Sequence, residues 1–303
     1  MDNVSFINDL KLSASYGVLG NNEVGGDYPG FSNFSTGVDV ANYDVNGTGN
    51  RTVTGFQQSS TGNPGLKWES TAVTNIGFDA ALAGGWNVMI EWYKRDTRDM
   101  IYNVELPLEL GAVGRQAQNI GQMTNTGFDF AIGYTKRVNR DFNFNVNLTG
   151  STVKNEVLKL EANSNTFIRS GGSRIGDITY TKAGLPISQF YGYVQEGLWQ
   201  SQADINKVLF TNAGDAKVGR FRFKDLNGDG QINNLDETYL GSPIPTLLMG
   251  LNLTANYKNW DFTMYWSGTY GNKLFNFVKY FSHFNAFQRS RSKDFLYEAG
   301  KTL

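Results

Sequence analysis

The sequence has no cysteine, one histidine and only 6 prolines in 303 residues. Without cysteine there are no disulfide scaffolds, thiolate metal sites or Cys nucleophiles. The lone histidine, His283, cannot supply a His-rich metal site and makes a Ser-His-Asp triad improbable; beside Phe281, Phe284 and Phe287 it reads as a packing residue in a loop. Neither sign of charge is in excess. Lys+Arg number 27 and Asp+Glu 28, so there is no electrostatic case for nucleic acid binding. No apolar run approaches the ~18 residues of a transmembrane helix, and mean hydropathy is −0.38. A transmembrane β-barrel stays open, because its lumen-facing polar residues dilute the average. Met1 is followed by no basic stretch, apolar core or small-residue cleavage site, so no signal peptide is read. Both ends read as cut, and the expectation is a window on a longer chain.

What the sequence does have is alternation with a period of two residues. In Phe142–Leu148, Phe142, Phe144, Val146 and Leu148 point one way, and Asn143, Asn145 and Asn147 the other. Phe128, Phe130, Ile132 and Tyr134 alternate in the same way just before it, joined through Arg137–Asp141. The pattern recurs in Leu10–Tyr16, Trp68–Leu82, Trp86–Trp92, Met249–Tyr257 and Trp260–Ser267. These are seven strands at or near membrane-spanning length, since spanning takes roughly 9–11 residues. No segment carries a convincing helical period, although Gln202–Leu209 could make two turns.

Alternation alone fits a soluble β-sandwich as well. Three features favour the membrane. The polar face is mostly Asn, Gly, Thr and Ser. Aromatic residues flank the short turns: Trp86, Phe142 and Trp260 after them, Tyr134 and Tyr257 before two of them. Such amphipathic rings gain most at headgroup depth. Short turns also alternate with long connections, about Gly17–Lys67, Thr97–Gly121, Asn155–Pro245 and Gly271 onward. Short periplasmic turns and long outer loops are the outer-membrane barrel arrangement, which puts residues 155–245 outside the cell.

One segment has metal-ligand spacing. Asp225–Asp236 follows a twelve-residue calcium-loop pattern. Asp225, Asn227 and Asp229 take positions 1, 3 and 5, and Gly230 takes the sharp turn at 6. Gln231 offers its carbonyl, Ile232 an anchor to a core, and Asn233 takes position 9. Position 12 is Asp236, shorter than the usual Glu, which predicts weak binding and a structural Ca²⁺. The alternative is a metal-free turn rich in Asx and Gly. Asp236-Glu237 is a paired carboxylate with no acid–base role assigned. Gly17–Gly20 and Gly171-Gly172 read as loop glycines, and Arg289–Lys293 as a solvated basic patch. Phe31, Phe34, Tyr191, Tyr193 and Trp199 could stack on sugars or pack loops together, and packing is the preferred reading.

The chain resembles the C-terminal half of the barrel of SusC/RagA-type TonB-linked outer-membrane proteins of Bacteroidetes. The resemblance rests on Leu10–Asn22, Asn63-Pro-Gly-Leu-Lys-Trp-Glu69, Asn119-Ile-Gly121 with Asn125–Phe128, and Gly184–Tyr193. Phe223–Ile232, Leu240–Pro245, Tyr257–Phe262 and Gly268–Asn272 complete it. It implies an all-β fold: part of a large antiparallel transmembrane β-barrel of about 22 strands, with long extracellular loops. It also implies TonB-energised uptake of glycans or peptides across the cell outer membrane, a SusD-like lipoprotein partner, and no enzyme activity. Residues 1–303 would then be a partial barrel without plug or terminal strands, and seven strands cannot close a barrel of that size. The isolated chain is accordingly expected not to transport. The other reading is a soluble or surface-attached β-rich module that binds glycans with calcium.

Overall fold

A computed structural model describes residues 6–23, 28–37, 39–44, 47, 49, 52–104, 106, 116–160, 168–170, 177–210, 216–283 and 293. Its largest element is an eight-stranded antiparallel sheet. We number its strands β1 (Ile7–Asn21), β2 (Glu69–Leu82), β3 (Trp86–Val104), β4 (Gln116–Arg137), β5 (Phe142–Thr152), β6 (Lys154–Leu160), β7 (Leu247–Tyr257) and β8 (Trp260–Tyr270). The order is β1-β2-β3-β4-β5-β7-β8, and β6 pairs with the first half of β4. The seven strands expected from alternation are all present in this path.

Register makes the sheet two-faced. Cross-strand partners share a face. One row runs Leu10, Ala80, Val88, Ile132, Leu148, Leu251 and Trp266. The next runs Leu12, Phe78, Ile90, Phe130, Gly150 and Met249. The opposite face carries Ser13, Gly77, Glu91, Asp129 and Ser151, and beside them Asn147 and Asn252. A slip of one residue would exchange the faces, so register is strongly specified.

Two aromatic–glycine pairs pin that register on opposite faces. A Cβ on Gly150 would meet the Phe130 ring at 2.2 Å. A Cβ on Gly127 would meet the Thr152 carbonyl oxygen at 1.9 Å and the Tyr93 hydroxyl at 2.7 Å. Tyr93 is buried, donates to that same Thr152 carbonyl at 3.0 Å, and carries Arg95 over its ring at 5.0 Å. The short connections follow local chemistry. Gly84 and Gly85 take positive φ between β2 and β3, and Lys258 takes φ 53 in the two-residue Lys258–Asn259 turn.

The long connections differ from expectation. Gly17 and Gly20 lie in β1, not in a loop, because pairing continues to Asn21 opposite Glu69. Most of Thr97–Gly121 is strand rather than loop, with β3 reaching 19 residues and β4 22. Register shifts between Thr97/Met100 and Met100/Ile101 break the period there, which hides these strands from pattern reading. Asn155–Leu160 is likewise paired to β4.

The chain divides into two units, Met1–Phe167 with Lys182–Pro186 and Thr246–Tyr270, and Ile168–Thr181 with Ile187–Pro245 and Gly271–Leu303. The second unit has a four-stranded sheet, Ile168–Ser170, Thr179–Thr181, Gln189–Tyr193 and Glu237–Gly241. Its helix α1 (Gln202–Ile205) is one turn, shorter than the two turns expected, and is capped by the Ser201 side chain. Helix α2 (Phe277–His283) has no counterpart in the sequence reading; the Asn276 side chain accepts from the Lys279 N–H at 2.8 Å at its start. The His283 side chain, Phe284, Phe287, Gly171-Gly172 and 289–292 lie outside the described residues.

Gly127→Ala is expected to destabilise the sheet by about 1–3 kcal/mol, because its Cβ meets backbone. Gly133→Ala, whose Cβ meets nothing nearer than 3.6 Å, is expected to be near neutral. Folded fraction after urea titration in detergent micelles, read from gel mobility of unheated samples, checks both.

Candidate functional site: a two-faced wall and an acidic loop

The apolar face ends in a band of rings beside the short turns. Trp86 and Tyr134 face each other with centroids 4.4 Å apart, Tyr134 meets Phe144 at 5.7 Å, and Phe142 meets Phe144 at 5.9 Å and Tyr257 at 6.3 Å. Trp260 pairs with Tyr257 and is 77% exposed. Five of these six residues are the ones the turn positions single out in the sequence. Phe144 joins them because it faces Lys136, one row above Phe142. The opposite face offers hydroxyl, amide and carboxyl groups, among them Asp129, which accepts from the Ser151 hydroxyl.

At the far ends of the strands, two sequence motifs meet. The Asn119 amide donates to the Lys67 carbonyl at 2.8 Å and to the Asp99 carbonyl at 2.7 Å, and its oxygen accepts the Lys67 N–H at 2.7 Å. Asp99 sits at φ 55, and this bond fixes its carbonyl. Asn63 donates to the Ala117 carbonyl at 2.9 Å. Glu69 accepts the Ile101 N–H at 2.7 Å and the Asn21 amide at 3.2 Å. Around this clip lies a hollow of ≈ 510 Å³ lined by Asn63, Lys67, Asp99, Gln116, Gln118 and Asn119. In the sequence, Asn63–Glu69 and Asn119 stand out only as family marks; their meeting needs long-range register.

In the second unit, the acidic loop is closed by its own backbone. Asp225 accepts the Gly228 N–H at 2.6 Å and the Gly230 N–H at 2.8 Å. Those glycines stand at φ 75 and 76, a conformation other residues rarely take. Asn227 accepts the Asp229 N–H at 3.1 Å, and Asp229 accepts the Gln231 N–H at 2.7 Å. The Asn227 amide also donates to Asp229 at 2.9 Å. Asn233 caps a 3₁₀ turn (Asn234–Asp236), accepting the Leu235 N–H at 2.8 Å. Asp236 is fully buried and accepts the Leu226 N–H at 2.8 Å and the Asn233 N–H at 2.9 Å. Ile232 joins a short parallel pairing with Phe210. The six candidate ligands thus lie in one twelve-residue loop, spread over the Asp225–Gly230 turn, the Gln231–Ile232 strand and the 3₁₀ turn. Among the described residues, no three His, Cys, Asp or Glu side chains converge as a metal-binding group.

Three of the five loop aromatics pack: Tyr191 on Tyr180 at 5.1 Å, Tyr193 on Phe223 at 5.3 Å, and Trp199 is buried. Burial, then the Glu237 and Asp236 carboxylates, pushes the Tyr193 hydroxyl above its ordinary pKa. Phe31 and Phe34 are exposed. The Ser201 hydroxyl, then Lys207, holds Asp204 below the ordinary carboxylate value.

Asp236→Asn replaces one of two charged acceptors with a donor facing an N–H. It is expected to cost the loop about 1–3 kcal/mol. Limited proteolysis checks this, as roughly tenfold faster cleavage within residues 225–236.

The family model described as TonB dependent receptor-like, beta-barrel, matches residues 3–277. TonB-dependent receptor P26 of Formosa agariphila is 32% identical over 295 residues, covering 94% of this chain and 28% of that protein. TonB-dependent receptor SusC of Bacteroides thetaiotaomicron is 28% identical over 270 residues, 87% of this chain and 25% of that protein. In structure, the RagAB peptide transporter is similar with a TM-score of 0.74 and 24% identity, over 93% of this chain and 28% of that one. The chain therefore spans about a quarter of the length of the relatives it matches, which are receptors and transporters rather than enzymes. With the matched sheet carrying one apolar, ring-edged face and one polar face, this chain belongs to the TonB-dependent receptor β-barrel family.

Proposed function

We propose that this chain is a section of the wall, with extracellular loops, of an outer-membrane importer for glycans or other oligomeric nutrients. The observation that carries the reading is the two-faced sheet whose ring band lies beside the short turns. Apolar side chains face lipid, polar side chains face a lumen, and the rings hold headgroup depth. On this reading residues 155–245 lie outside the cell. Transport is powered by TonB and served by a SusD-like lipoprotein, as the resemblance to SusC and the likeness to the RagAB peptide transporter suggest.

The full-length protein is expected to fractionate with outer membranes and to need detergent. A stable monomer recovered from the soluble fraction without detergent would instead support the soluble calcium-dependent glycan-binding module.

The acidic loop carries a separate proposal of a structural Ca²⁺. Asp225, Asn227, Asp229 and Asn233 side chains, the Gln231 carbonyl and Asp236 are hard oxygen donors at the right positions. Both Asp236 oxygens already hold backbone N–H groups, which agrees with weak binding. Calorimetric titration of the full-length protein is expected to show heat at ~10⁻⁴–10⁻³ M Ca²⁺ that Asp229→Ala abolishes. No heat at millimolar calcium leaves the loop as a turn alone.

A further inference from the structure

We propose that the short-turn end of the wall binds the anionic headgroup of a glycerophospholipid through Lys136, Arg140 and Lys258. The inference rests on the membrane reading above and adds a ligand to it. The chain as a whole is balanced in charge, but this end is not.

Lys136 pairs with Phe144, which pairs with Ala255, and Ala255 with Phe262. Lys136 therefore lies on the apolar face, within the ring band. An ammonium there extends its stem along apolar surface and leaves its charge at headgroup level. Lys258 places its ammonium 5.5 Å from the centroid of Tyr257, itself a member of the band. The two turns are tied together, because the Lys258 N–H donates to the Asp141 carbonyl at 2.8 Å. Arg140 lies in the turn beside Asp141. From strand spacing, Lys136 and Tyr257 lie roughly 12 Å apart, two strands across and one row down. Lys258 follows Tyr257, so the flexible side chains of Lys136 and Lys258 can reach one headgroup or two neighbouring ones.

All three cations are exposed, and none of them forms an ion pair among the described residues. The acids nearby are Asp141 in the turn and Asp261. Asp261 falls on the polar face, in the row of Asn256, Asn143 and Arg137. The apolar face at this end thus presents positive charge among rings, which suits a phosphate-bearing headgroup whose acyl chains lie against Phe144, Ala255 and Phe262. Basic residues beside a membrane favour anionic lipid over zwitterionic lipid.

The test uses the full-length protein in nanodiscs of equal phosphatidylglycerol and phosphatidylcholine, with retained lipid counted by native mass spectrometry. The expected result is selective retention of phosphatidylglycerol, which falls roughly fivefold for each cation removed and is lost in the K136Q/R140Q/K258Q variant. Equal retention in the parent and a folded variant overturns the proposal. So does equal retention of the two lipids by the parent. Failure of both proteins to enter nanodiscs would be a failure of the membrane reading instead, and the two outcomes are distinct. Gel mobility of unheated samples establishes that the variant is folded.

Discussion

Everything in the wall depends on continuous antiparallel backbone pairing. In hydrocarbon an unpaired N–H or C=O costs several kcal/mol, so a spanning segment must satisfy its backbone within the sheet. From β1 to β8 each strand meets its neighbours residue for residue through the region of the apolar rows. The breaks occur elsewhere, at Ile7/Asp9, around Thr97–Ile101 and at Val157/Lys159. Given that ladder, the pleat sends alternate side chains to opposite sides. The apolar and polar surfaces then follow from the residue pattern with no further device.

The same constraint explains what could be read from the sequence. Phe142–Leu148 and Met249–Tyr257 are legible because one face is uniformly apolar and the pairing has no shift. The ring band is legible because its members sit at fixed offsets from short turns. The halves of β3 and β4 far from the short turns are illegible because the bulges near Met100 reset the alternation, so residues that are strand look like loop. The second unit is harder still. Its strands run from two to five residues, too few for a period to register, and Phe190 finds Gly241 across a long stretch of chain.

The acidic loop shows a different limit. Its glycines and Asx residues announce a tight turn, and Gly228 and Gly230 adopt the positive φ that such a turn needs. Where Asp236 points cannot be read from spacing. A carboxylate at that position can face an ion or cap a 3₁₀ turn, and here it reaches both Leu226 and Asn233 from a fully buried position. The clip at Asn119 is similar. An Asn before Ile-Gly is unremarkable in sequence and becomes a three-bond anchor only once β4 lies beside the 61–68 segment.

The seam between β5 and β7 has a consequence for assembly. Its two strands are separated by all of residues 153–246, whereas the other adjacent strands of the path that follow the first hairpin are joined by shorter connections. Closing a long excursion costs entropy before any pairing repays it. Hairpins such as β7–β8, closed by two residues, form on a microsecond scale in isolation. Loop closure alone therefore makes β5–β7 the costliest pairing of this path to close, with β1–β2, across residues 22–68, the next.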